Sequence, residues 1–100
     1  MHRRAAKVDA NQTAITQALR QMGATVQHLF QLGAGCPDIL AGYKGVNILV
    51  EIKDGNKPPS KRRLTPDEQA WHATWRGQVA IVESVEDAVR LLNSVTEVTG

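Results

Sequence analysis

Two hydrophobic runs, PDILAGY at residues 37–43 and VNILVEIK at residues 46–53, meet across the short break Lys44-Gly45. Branched and aromatic residues on both sides of such a break read as a β-hairpin. A central hairpin constrains the whole chain, because the remaining segments must then be built around a sheet. Each run also carries an acid where a strand wants an apolar residue: Asp38 opens the first, Glu51 lies near the end of the second, and Lys53 follows two positions later.

Strand alternation says where these charges point. Val46, Ile48, Val50 and Ile52 share one face of the second run; Asn47, Leu49, Glu51 and Lys53 share the other. Glu51 and Lys53 are therefore same-face neighbours, about 6.5–7 Å apart at the usual rise. Folding the hairpin symmetrically about residues 44–45 sets position 38 opposite roughly 51. The three charges thus converge at the open end of the hairpin.

The flanking segments have clear signatures. DANQTAITQALRQMG places Ile15, Leu19 and Met22 on one helical stripe, with Gly23 as a stop and Asp9 and Gln12 at capping-box spacing. ATVQHLF reads as a first strand, ahead of the glycines in QLGAGCPD. DGNKPPSKRR, with its glycine, prolines and four basic residues, reads as an exposed loop. In LTPDEQAWHATWRG, Thr65 is the cap, Pro66 the first helical residue and Glu68 the third, with Gly77 beyond the end. QVAIVES is a fourth strand and VEDAVRLLNSV an amphipathic last helix; TEVTG is expected to fray. The order is α-β-β-β-α-β-α, a mixed four-stranded sheet flanked by helices. Residues 46–83 have the length of a parallel strand–helix–strand crossover.

Size and composition narrow the setting. One hundred residues make a single domain, 1–100, with one modest core. Hydrophobic residues at 42% and charged ones at 22% exclude a disordered chain. Cys36, the single cysteine, can form no internal disulfide and lacks the partners of a zinc site. No apolar run approaches the roughly 20 residues of a membrane span, and MHRRAAKVDANQ turns polar where a signal peptide would turn apolar. The expected location is the cytoplasm.

Two carboxylates brought close in a partly buried place resist joint ionisation unless a cation lies between them. Hard oxygen donors of this kind suit Mg²⁺ or Mn²⁺, which accept one or two carboxylates along with water and phosphate. Lys53 beside them is placed to hold an attacking hydroxide or to stabilise charge developing on phosphorus. The plain alternative is a surface ion pair of Lys53 with Glu51 or Asp38, worth at most about 1 kcal/mol.

Pro37-Asp38 followed by Glu51-Ile52-Lys53 resembles the PD-(D/E)XK signature of the restriction-endonuclease-like nucleases. The resemblance extends to the order of elements, which is the α-β-β-β-α-β core of that superfamily. Within it, GAGCPDILAGYKG and LVEIKDG are most similar to small phage VRR-NUC domain nucleases, and more distantly to archaeal Holliday-junction resolvases. The likeness implies Asp38 and Glu51 as metal-binding acids, the Ile52 carbonyl as a further ligand, and Lys53 as the residue that positions water. It implies a metal-binding acid on the first helix too. Here Gln12 occupies that place and Asp9 is the nearest acid, so either is the candidate. Gln69 matches a glutamine that orients the site in several branches. His72, one turn further on the same side, reads more readily as a lone surface histidine than as one facing the cleft, and Trp71 and Trp75 as core anchors of their helix more readily than as stacking platforms for bases.

The basic loop follows directly on Lys53. Lys57, Lys61, Arg62 and Arg63 are candidates to meet a phosphate backbone, with Arg3, Arg4 and Lys7 extending the track. No base-reading helix or zinc module is evident. The expected activity is Mg²⁺- or Mn²⁺-dependent hydrolysis of branched or double-stranded DNA, selective for structure more than for sequence. The alternative is a catalytically weak or silent nucleic-acid-binding module. The resemblance further implies a homodimer, with strand 79–83 and the apolar side of the last helix as the place for its interface, and a phage-encoded protein acting in the host cytoplasm.

Overall fold

The computed structural model describes residues 10–96. Asp9, Arg3, Arg4, Lys7 and the last four residues of the expected fraying tail lie outside the described residues. The elements in chain order are α1 (Ala10–Gln21), β1 (Thr25–His28), β2 (Ile39–Tyr43), β3 (Val46–Ile52), α2 (Pro66–Thr74), β4 (Val79–Val82) and α3 (Val85–Asn93). Short 3₁₀ turns interrupt the β1–β2 connection at Phe30–Leu32 and the basic loop at Pro59–Lys61. The expected mixed four-stranded sheet with flanking helices is what the chain forms. The first strand is shorter than its sequence promised, because Phe30 turns into the 3₁₀ segment.

The sheet runs in the order β1-β2-β3-β4. Its first two pairings are antiparallel and the third, across the α2 crossover, is parallel. Lys44 and Gly45 both take positive φ, 53° and 79°, which is the two-residue hairpin turn whose twist matches that of the strands it joins. Tyr43 pairs with Val46 at the turn and Ile39 with Val50 at the far end. Continued by one residue, that register sets Asp38 across from Glu51.

One face of the sheet carries the core. Ile39, Ala41, Ile48, Val50 and Val82 pack with Ile15 and Leu19 of α1 and Ala88 and Leu92 of α3, all of them buried. Gln12 and Thr16 share the buried stripe of α1, and the Asn11 amide donates to the carbonyl of Lys53 at 2.8 Å, tying the start of α1 to the end of β3. The apolar side of α3 is thus used within the chain's own core, with Val85, Leu91 and Val95 packed against it. The exposed apolar residue of β4 is Ile81, at 48%.

The opposite face is covered less fully. α2 lies there, over the Glu51 end of β3, and buries none of its residues. Trp71 and Trp75 are accordingly not core anchors. Their rings stack on each other at 4.6 Å and 17°, and Trp75 is 45% exposed. What fixes α2 is polar: the Thr65 side chain accepts from the Glu68 N–H at 3.2 Å, while Glu68 Oε1 accepts from the Thr65 N–H at 2.8 Å. This reciprocal capping box is the one that the spacing of Thr65 and Glu68 announced.

Candidate active site

Asp38 is delivered to its place by both backbone and side chain. Its carbonyl accepts from the Leu29 N–H at 2.9 Å, which prolongs the β1–β2 pairing, and its Oδ2 accepts from the Ile52 N–H at 2.6 Å. Buried Pro37 precedes it and buried Ile39 follows. The approach loop closes tightly on α2: a Cβ on Gly35 would stand 2.3 Å from the Asp67 carbonyl oxygen, and Gly35 itself sits at φ +82°. Only glycine satisfies both demands without displacement. The Cys36 thiol lies within the field of the two acids; burial first, then Glu51 and Asp38, push it up from its ordinary value.

Glu51 is the most deeply buried charged group of the site, 2% exposed on the less covered face of the sheet. Burial, then the charges of Asp38 and Glu68, push its carboxyl up to about 9. Burial also raises the neighbouring Asp38 carboxyl, against the opposing help of the Ile52 N–H. Two acids this close and this buried resist joint ionisation when nothing else offsets their repulsion.

Lys53 completes the group. Its Nζ stands 2.7 Å from Glu68 Oε1 and 3.7 Å from Glu51 Oε2. Burial works against its charge, but the hydrogen bond and charge of Glu68, with those of Glu51 and Asp38, leave its pKa above the ordinary lysine value. It stays an ammonium at neutral pH and is a donor, not a base. Glu68 shows the reciprocal balance: burial raises it, while Lys53 and the Thr65 N–H bring it below the usual carboxylate range. The helix cap of α2 thus also orients the site's lysine.

Among the residues singled out by sequence, Asp38, Glu51 and Lys53 come together as the alternation requires. Gln69 is exposed, with its amide donating to the Leu64 carbonyl at 3.1 Å; the α2 residues that reach the acid pair and the lysine are Glu68 and His72. His72 is not a surface histidine. Its side chain is 13% exposed and its Nε2 stands 3.8 Å from Glu51 Oε1. Sequence reasoning sees Glu68 only as part of the helix cap and ranks the inward placement of His72 below a surface one. The signal available was their spacing, since residues 68 and 72 share one helical face. Of the basic loop, Lys57, Lys61 and Arg63 are exposed. Arg62 is engaged instead: its Nε donates to the Lys57 carbonyl at 2.7 Å and its Nη1 meets Glu83 Oε1 at 3.2 Å.

The acid pair offers hard oxygen donors for a Mg²⁺-like ion. Among the described residues no group of three or more His, Cys, Asp or Glu side chains is arranged to hold a metal. An ion here would rest on two carboxylates supplemented by carbonyl oxygen and water, a donor set that Mg²⁺ accepts.

A hairpin whose strand ends bring together an acid pair and a lysine, inside an α-β-β-β-α-β-α chain, is the PD-(D/E)XK nuclease-like arrangement. A solved structure described as "VRR_NUC domain" is similar to this chain at 25% identity and a TM-score of 0.63, covering 85% of this chain and 92% of the other. The fold is that of this neighbour, and the VRR-NUC resemblance read from the motif is supported by it. No family model and no curated protein matches the chain. No helix among the described residues is long and apolar enough to cross a membrane.

Proposed function

We propose that this protein is a nuclease, a Mg²⁺- or Mn²⁺-dependent endonuclease that hydrolyses phosphodiester bonds of DNA, choosing by branch or junction structure more than by sequence. The observation that carries this reading is the acid pair: the hairpin register sets Asp38 against Glu51 in a buried place, with the Lys53 ammonium at its edge. Such a pair is costly as structure, and the cost is offset when a divalent cation lies between the two carboxylates. The VRR_NUC neighbour supports the same reading.

Asp38 and Glu51 would hold the ion, with the Ile52 carbonyl beside them and Gln12 or Asp9 as the candidate from the first helix. When bound, the ion supplies Lewis-acid stabilisation of the charge that gathers on a phosphoryl group. Lys53, kept charged by Glu68, donates to the anionic phosphate and holds it in register with the acids. The loop after Lys53 leaves the site and returns to it at Glu68, so Lys57, Lys61 and Arg63 stand at its rim and meet flanking phosphates without reading bases. Arg62, through Glu83, braces that loop instead of contacting DNA.

A second reading is a silent nucleic-acid-binding module on the same fold, and the two-carboxylate donor set favours it. Incubation with supercoiled plasmid, synthetic four-way junctions and flaps, in Mg²⁺, Mn²⁺ or EDTA, separates the two. The nuclease cuts only with the metal and prefers branched substrates, and Lys53→Ala lowers the rate by about 10²–10³-fold. Salt-sensitive binding without cutting establishes the silent module, and cutting in EDTA overturns the metal assignment.

A further inference from the structure

The two oxygens of Glu51 face different surroundings. Oε2 looks toward Lys53, at 3.7 Å. Oε1 looks toward α2, where His72 Nε2 stands 3.8 Å away. Both Oε1 and Nε2 are sealed from water, and neither has a hydrogen-bond partner among the described residues. A separation of 3.8 Å is too long for a hydrogen bond. Two buried polar atoms left unsatisfied face to face are rare in a native interior, and each costs its full desolvation penalty.

Because Oε1 is closed to solvent, an ion approaching the acid pair would meet Oε2, the oxygen on the Lys53 side. We propose that His72 is the positioning residue for Glu51: its Nε2–H closes onto Oε1, fixes the carboxylate plane and directs Oε2 at the metal. This rests on the metal site proposed above and adds to it a group outside the motif. The geometry needs only a small rotation of either side chain. His72 is anchored for the task by its place on α2, one turn from Glu68, which holds Lys53. One short helix thereby orients both the carboxylate and the ammonium of the site. Hydrogen bonds that orient a ligand from behind typically contribute about 10–100-fold to metal affinity.

The test is a titration of the purified protein with Mn²⁺ alone, read by calorimetry, for wild type, His72→Phe, His72→Gln and Asp38→Asn. Glutamine can present an N–H near the Nε2 position; phenylalanine keeps the bulk without the donor. The expected result is Mn²⁺ affinity about 10–100-fold weaker in His72→Phe and largely retained in His72→Gln. Equal affinity in wild type and His72→Phe, or equal loss in both variants, overturns the role of His72 while leaving the metal site standing. Wild type binding no better than Asp38→Asn overturns both. Should His72→Phe fail to fold, nitrogen NMR of the Mg²⁺-loaded wild type decides: a hydrogen-bonded His72 Nε2–H is expected, and an Nε2 without a proton overturns the assignment.

Discussion

The acids at the start of α3 and those at the end of the hairpin are built in opposite ways. Asp87 is the third residue of α3. Its N–H donates to the Ser84 hydroxyl at 3.0 Å, its Oδ2 accepts from the Glu83 N–H at 3.0 Å, and its Oδ1 accepts from Arg90 at 2.7 Å. Both carboxyl oxygens have a donor, and those hydrogen bonds hold the group below its ordinary pKa. Glu51, by contrast, is buried against another acid, leaves Oε1 without a hydrogen-bond partner among the described residues and is driven up to about 9. An acid that serves the fold is surrounded by donors; Glu51 is left short of them, as the proposed ligand role would require. Glu68 stands between the two cases, since it caps α2 as Asp87 helps cap α3 yet spends the same oxygen on Lys53.

The largest expected effect comes from removing the charge that Glu51 must take on. On the proposed metal role, Glu51→Gln should lower cleavage by about 10²-fold or more, since it would delete an interaction worth several kcal/mol to the reacting phosphate. Its effect on stability has the opposite sign. Glu51 titrates near 4.3 when unfolded and about 9 when folded. Between those values the native state binds the extra proton, so stability falls as pH rises through that window and levels off above it. Thermal melts of the metal-free protein from pH 5 to 9 should therefore show a declining Tm in wild type and a flatter profile in Glu51→Gln. A wild-type Tm that rises over this range would mean that Glu51 is as well served as Asp87, and the contrast between the two regions would be lost.

Much of this was legible in the sequence, and the missing part has one physical origin. Hairpin register follows from the alternation of residues 38–53 and from a turn that only a few dipeptides make, so Asp38 and Glu51 could be set opposite each other in advance. The caps of α2 and α3 are local and equally readable. The rotation of α2 was not. That helix buries no residue, so no apolar stripe says which face turns inward. The sequence therefore favours Gln69 over Glu68 and His72, and points the tryptophans toward a core they do not enter. The Arg62–Glu83 pair spans 21 residues of sequence and leaves no local trace at all.

A middle-sized effect is expected where the approach loop meets α2. Gly35→Ala forces a Cβ against the Asp67 backbone at a φ that side chains rarely adopt. The cost should be about 1–3 kcal/mol, read as a lower midpoint in denaturant. Because the loop also delivers Asp38, Mn²⁺ affinity should fall together with stability. A variant that lost stability but bound Mn²⁺ normally would show that the strand pairing alone holds Asp38 in place.

The smallest effect belongs to the well-served acid. Asp87 has its pKa lowered in the folded state, first by the Glu83 N–H and then by Arg90. Its contribution is fully present above the unfolded value of about 3.9 and is lost as pH falls through the folded one. Asp87→Asn, which retains an oxygen to accept from the Glu83 N–H, should cost about 0.3–1 kcal/mol at pH 7, the worth of one charge at a helix start. Arg90 is too exposed for its ion pair to add much. The stability difference between wild type and variant should then shrink toward zero in melts near pH 2, while cleavage per folded molecule stays unchanged at pH 7. A loss of cleavage without a loss of stability would move Asp87 out of the structural class, and burial of the acid pair would no longer distinguish the two regions.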